Sequence, residues 1–194
     1  RKDLLAVVLH GLGKSFSAGG DLEWMKSMAQ FSYEENLQDA RLLFDMFQTL
    51  SSCRWPLIGF VHGKVLGGGM GLISVCDFVA AEEKTSFGFT EAKLGLAPAV
   101  ISPFVLKKAH AQVKEFMLTA QVFEAAKAQQ LGLVHFVGNP TQCFESMSQT
   151  LRQLWSLSPD AVRETKRLLN HLSNPSSLLE QRESTTTVLA QRRV

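Results

Sequence analysis

Apolar positions in this chain fall into short runs broken by Gly and Pro, alternating with stretches at helical spacing. Leu4-Leu5-Ala6-Val7-Val8-Leu9 is a continuous apolar run and predicts a strand. Between Glu34 and Leu50, the residues Leu37, Ala40, Leu43, Phe47 and Leu50 share one face, while Glu35, Asp39 and Gln48 fall elsewhere; this predicts an amphipathic helix. The run from Pro56 to Leu66 is apolar and punctuated by Pro and Gly, as a buried strand and its turn would be. Gly67-Gly68-Gly69-Met70-Gly71 follows it, and Leu72-Ile73-Ser74-Val75-Cys76 predicts the first turns of a buried helix. Next come a short strand, Phe78 to Ala81, a charged turn, Glu82-Glu83-Lys84, an extended piece, Thr85 to Phe89, and a Gly- and Pro-bearing loop, Ala92 to Pro98. From Ser102 the pattern is mainly helical, with Pro103 at the first helical position behind a Ser102 cap. Phe123 to Leu131 predicts a helix closed by Gly132, and Leu133 to Val137 a strand. Helices over Thr141 to Leu157 and Pro159 to Leu172, the second capped by Ser158, complete the pattern. Strand, strand, helix recurs coarsely, which implies an α/β core.

The chemistry sits where the strand run meets the triple glycine. Glycine at a strand-to-helix junction lets a ligand approach the backbone with no Cβ in the way. The first N–H groups of a helix lack intrahelical partners and lie at its positive end, so they suit a developing negative charge. An oxyanion-binding site is one reading; a tight turn packed against a neighbour is the other. A second stretch rich in small residues, Phe16-Ser17-Ala18-Gly19-Gly20-Asp21-Leu22, offers another set of accessible N–H groups.

Composition narrows the classes. With 194 residues, 45% of them apolar, the chain is long enough to bury one substantial core. Twenty Lys+Arg against eighteen Asp+Glu leave a formal charge of +2, too balanced to point to nucleic acid or an anionic membrane. Cys53, Cys76 and Cys143 are scattered without metal spacing and read as reduced core residues of a cytoplasmic protein. No apolar run is long enough to span a membrane. The chain opens Arg1-Lys2-Asp3 directly before a strand and closes in Arg192-Arg193-Val194, as a fragment would.

Taken together, Phe16 to Leu22, Gly67-Gly68-Gly69, Cys76-Asp77, Phe87-Gly88-Phe89-Thr90-Glu91-Ala92-Lys93-Leu94-Gly95-Leu96 and Leu131-Gly132-Leu133-Val134 resemble the crotonase (enoyl-CoA hydratase/isomerase) superfamily in order and spacing. Asp21-Leu22-Glu23-Trp24-Met25 and Leu96-Ala97-Pro98-Ala99-Val100-Ile101-Ser102-Pro103 look most similar to its bacterial methylglutaconyl-CoA hydratase-like branch. The resemblance implies a spiral of ββα units over residues 1–137 and a C-terminal helical oligomerisation region over 138–194, building a homotrimer or hexamer. It also implies a strand pair and a helix ahead of Arg1 and one more helix past Val194. The oxyanion hole would be the N–H groups of Gly20 and Gly68, gripping the thioester carbonyl of an acyl-CoA. Ala18, Asp21, Leu22 and Glu23 would lie along the coenzyme A, largely through backbone contacts. The CoA thioester is then the substrate, with no separate cofactor and no metal.

Family hydratases of the best-known type hold a water between two glutamates. The second of these corresponds to Glu91; the first corresponds to Gly71, which has no side chain. Glu91 alone remains as general acid/base, and an apolar setting from Phe87, Phe89, Leu94 and Leu96 would raise its pKa toward neutral pH. Without the resemblance, Glu91 reads as an ordinary surface carboxylate. The resemblance favours an enoyl-CoA hydratase acting on a 2-enoyl thioester, of the branched-acyl or leucine-catabolic kind. Its alternatives are a Δ3,Δ2-enoyl-CoA isomerase that shuttles a proton through Glu91, and an acyl-CoA-binding protein without turnover.

Competing signals are weaker. Gly11-Leu12-Gly13-Lys14-Ser15 resembles a phosphate loop, but Val8 stands where the leading Gly belongs and no helix pattern opens after Ser15. His10, His62, His110, His135 and His171 have no partners at metal spacing, and His62 and His135 read as structural. No GxSxG elbow supports a serine triad. Trp24 and Met25, with Met28 at helical spacing, read as core or as a cover over an acyl pocket.

Overall fold

The computed structural model describes residues 4–27 and 30–173. Its strands are β1 (Val7–His10), β2 (Leu57–Val61), β3 (Lys64–Leu66), β4 (Phe78–Glu82), β5 (Ser86–Gly88), β6 (Phe123–Glu124) and β7 (Phe136–Gly138). Its helices are α1 (Leu22–Ser27), α2 (Tyr33–Ser51), α3 (Gly68–Val75), α4 (Ser102–Lys108), α5 (Val113–Thr119), α6 (Ala125–Gln130), α7 (Pro140–Trp155) and α8 (Pro159–Leu172). One parallel sheet has the order β1-β2-β4-β7; the second has the order β3-β5-β6, with β3 parallel to β5 and β6 antiparallel.

The apolar run after Pro56 therefore makes two strands, one for each sheet. The turn between them is set by Gly63, at φ +63, where a Cβ would lie 2.1 Å from the Lys14 carbonyl. β4 and β5 repeat the step, and α3 follows the first pair. This is the ββα spiral. The core between the layers holds Leu57, Val61, Val65, Met70, Ile73, Val79, Phe87 and Phe89, each at most 2% exposed. α3 can be this apolar because it is enclosed: six of its eight residues are buried.

Capping fixes several helix starts. Ser32 and Glu35 form a capping box at α2, and Asn139 and Gln142 form one at α7. Ser158 caps α8 through the Ala161 N–H. Elsewhere the structure moves the expected elements. The first strand begins at Val7, and residues 123–131 divide into β6 and α6. Leu133 is buried, but the strand expected from it starts only at Phe136. Ser102 is the first helical residue of α4 rather than its cap, because its hydroxyl donates back to the Pro98 carbonyl (2.6 Å). On α2 only Phe47 is buried, and Leu43 is 41% exposed. Cys76 and Cys143 are free thiols in the core, while Cys53 is half-buried. Met28 and the chain end at Val194 lie outside the described residues.

Candidate active site

Three chain segments meet around the end of β3. On one side Ser17 bridges to Val65: its N–H donates to the Lys64 carbonyl (3.0 Å) and its carbonyl accepts from Leu66 N–H (3.0 Å). This lays Ala18-Gly19-Gly20 against the β3–α3 junction. Gly19, at φ +108, turns the loop, and its N–H points at the Ser17 hydroxyl (3.4 Å). Asp21 then starts α1, its Oδ1 accepting from Glu23 N–H (2.8 Å) and Trp24 N–H (3.1 Å). On the other side of β3 lies β5, and the chain leaving β5 delivers Glu91.

The glycines at the junction do different work. Gly67, at φ +52 and ψ −120, is the cap of α3; its N–H donates to the Gly88 carbonyl (3.0 Å). A Cβ there would sit 3.6 Å from both Glu91 Oε1 and Gly19 Cα, so the three segments converge at this point. Gly69 packs on the loop, since its Cβ would be 2.9 Å from that of Ser17. Gly71 is bare because the space is filled: a Cβ would lie 2.6 Å from Ile101 Cγ2 and 2.7 Å from Phe47 Cε1 and Cζ. Only Gly68 opens into free space, with nothing within 4 Å of a would-be Cβ. As the first helical residue it has no intrahelical acceptor, and among the described residues neither its N–H nor that of Gly20 is bonded. The tight turn at Gly67 and the open helix end at Gly68 are thus parts of one structure.

Glu91 opens a short 3₁₀ turn, Glu91–Leu94, closed by Gly95 at φ +73. Its Oε2 is buried and has no hydrogen-bond partner. Burial raises its pKa above the ordinary carboxylate range, opposed by its own backbone N–H. Of the apolar residues around it in the chain, Phe87 and Phe89 are buried, whereas Leu94 and Leu96 are 54% and 50% exposed. A buried, unpartnered carboxylate oxygen beside two unbonded amides can exchange a proton with a ligand whose oxygen those amides hold.

Ala18, Gly20, Asp21 and Glu23 are exposed around this opening, with Leu22 next to them in α1. Trp24 is 52% exposed and meets Phe31 edge-on at 5.8 Å, so it is not core. The loop Gly11 to Ser15 opens no helix; instead His62 Nε2 bonds the Gly13 carbonyl (2.8 Å). His135 is structural, its Nδ1 accepting from Val79 N–H (3.0 Å). A groove of about 420 Å³ between Cys53, Arg54, Arg163 and Arg167 involves none of the site residues. Sequence reasoning passed over Phe47, Ile101 and Lys108 as neighbours of α3, because nothing local marks what a buried side chain touches. Among the described residues there is no cluster able to hold a metal, and no helix is long and apolar enough to cross a membrane.

The family model for enoyl-CoA hydratase/isomerase matches residues 1–192. A Thermus thermophilus protein bearing an enoyl-CoA hydratase name is 33% identical over 84% of the chain and 65% of its own length. A short-chain-enoyl-CoA hydratase of Clostridium acetobutylicum is 32% identical over 87% of the chain and 64% of its own length. The crystal structure of an enoyl-CoA hydratase from Shewanella pealeana superimposes with a TM-score of 0.90 at 36% identity, covering 96% of this chain and 70% of that one. The chain belongs to the enoyl-CoA hydratase/isomerase family and has the crotonase fold. It spans about two thirds of the length of these curated relatives.

Proposed function

We propose that this protein adds water to a 2-enoyl-CoA thioester. The observation that carries the reading is the buried, unpartnered Oε2 of Glu91 beside the opened end of α3. The N–H groups of Gly20 and Gly68 hold the thioester oxygen. Glu91 takes a proton from water as the water oxygen bonds to Cβ, and the alkene electrons move onto the thioester oxygen. The same proton then passes from Glu91 to Cα, the thioester carbonyl re-forms, and Glu91 is again a carboxylate. Ala18, Asp21, Leu22 and Glu23 offer backbone groups to the coenzyme A, since the Asp21 carboxylate is engaged in capping α1.

Methylglutaconyl-like, branched acyl chains are the proposed substrates, and no cofactor beyond the substrate's own coenzyme A is required. A homotrimer or hexamer joined through residues 138–194, and a cytoplasmic location, belong to the same proposal; the resemblance supports them. The packing of Phe47 and Ile101 over Gly71 supports a second reading, Δ3,Δ2-enoyl-CoA isomerisation, because it leaves one carboxylate to shuttle a proton between carbons. Incubation with 2-enoyl-CoA and 3-enoyl-CoA separates the two. Hydration removes the enoyl-thioester absorbance of the first. Conversion of the second without hydration of the first overturns the hydratase reading, and turnover of either overturns a purely binding role.

A further inference from the structure

The end of α3 remote from Gly68 is held by one cation. Lys108, the last residue of α4, donates from Nζ to the carbonyls of Ile73 (2.8 Å) and Cys76 (2.6 Å). Ile73 lies in the last turn of α3, its carbonyl also accepting from Cys76 N–H (3.3 Å), and Cys76 is the C-cap, so the cation sits where it complements the helix dipole. The cap residue of α4, Ile101, fills the space above Gly71. α4 therefore touches α3 at its middle and at its C-terminal end, and α3, at eight residues, is only about 12 Å long. A rotation or slip of so short a rod at one end moves the amide at the other.

We propose that Lys108 is a positioning residue for catalysis: by anchoring the C-terminal carbonyls of α3 it holds the Gly68 N–H on the thioester oxygen. The inference rests on the reading of Gly68 as an oxyanion donor. Lys108 touches no substrate atom. The groups facing it are the Cys76 thiol and Asp77 after α3, His135 before β7, and, through Asp77, Lys166 of α8. Burial pulls the pKa of Lys108 down to about 8, with Cys76 and Asp77 opposing the shift, so its charge is lost within an accessible pH range.

The test compares full-length wild-type protein with Lys108→Arg and Lys108→Met on a 2-enoyl-CoA, recording kcat, KM and melting temperature across pH. Misplacement of a catalytic group on this scale lowers rates by about 10- to 100-fold, so Lys108→Met should lose that much in kcat with KM little changed. Lys108→Arg, always charged, should keep kcat within about 3-fold of wild type. Wild-type kcat should fall as pH rises through about 8, and Lys108→Arg should lack that limb. Stability moves the other way. The unfolded chain holds this proton at pH values where the folded one has released it, so the wild type should gain stability relative to Lys108→Arg between about pH 8 and 10.5. A merely structural lysine would not lower kcat while stability rose. A wild-type limb shared by Lys108→Arg, or an unchanged kcat in Lys108→Met, overturns the inference alone. If Lys108→Met does not fold, the wild-type and Lys108→Arg profiles decide. Wild-type protein inert on both 2-enoyl- and 3-enoyl-CoA overturns the functional reading, and this inference with it.

Discussion

The two ends of α3 are opposites. Among the described residues, at the N-terminal end the amides of Gly20 and Gly68 are unbonded, and a carboxylate oxygen of Glu91 is buried without a partner. At the C-terminal end the polar groups are engaged. Lys108 holds the carbonyls of Ile73 and Cys76, and the Cys76 thiol reaches the Leu72 carbonyl (3.3 Å). Asp77 Oδ2 accepts from Leu57 N–H (2.6 Å) and from Lys166 (2.5 Å), and Lys166 also reaches the Trp55 carbonyl (2.8 Å). A buried polar group left unpaired is destabilising, and Glu91 Oε2 is such a group, whereas Gly20 is exposed and Gly68 half-buried, open to an incoming ligand. That orphan oxygen lies at the open end of a helix whose other end is engaged, which supports the proposal that a ligand supplies its partner there.

The comparison can be broken at either end. The largest effect is expected at the satisfied end. Lys166→Met leaves Asp77 without its cation and should lower unfolding free energy by about 3–5 kcal/mol in a urea titration. A loss under about 1 kcal/mol would show that this end is not the anchor. At the open end, Gly68→Pro removes one N–H at the first helical position, where proline is tolerated and a Cβ would meet nothing within 4 Å. It should lower kcat about 10²–10³-fold with the melting temperature nearly unchanged. Retained activity would remove Gly68 from the oxyanion hole.

Gly71→Glu tests the wall between the two ends. The new side chain collides with Phe47 and Ile101, so a melt should show a loss of about 1–3 kcal/mol and an assay no gain in hydration. Adding Phe47→Ala should relieve part of the collision. The smallest effect belongs to His135. Dehydration of its ring, with the charge of Lys108 adding, pushes its pKa from 6.5 down to about 4, and protonation would end its acceptance from Val79 N–H. The unfolded chain takes the proton first, so this contribution is full above pH 6.5 and lost as pH falls toward about 4. His135→Gln should flatten that part of the wild-type pH–stability curve.

Much of this was legible along the chain. Ser158 before Pro159 set the start of α8, and the glycine run after an apolar strand marked the mouth of the site, because caps and backbone access are local chemistry. Glu91 was found by its place in the Phe87-to-Leu96 pattern; its solitary residue type pointed only to the surface. The failures share a cause. Phe123–Glu124 is too short a strand for periodicity to register, and it exists because Phe123 pairs antiparallel with Phe87 and stacks on its ring at 5.9 Å. Gly71 looked like a lost catalytic residue until Phe47 was seen to fill its space. Lys108, at the end of an ordinary helix, carried no signal of the carbonyls it holds.

The central claim, that Glu91 and the opened end of α3 act together on an enoyl thioester, is tested most directly by steady-state hydration of a 2-enoyl-CoA by wild-type protein and Glu91→Gln. Removal of the acid/base should lower kcat by about 10²–10⁴-fold while KM stays close to wild type, because the two amides still hold the carbonyl. A Glu91→Gln protein that hydrates the substrate at the wild-type rate would contradict it.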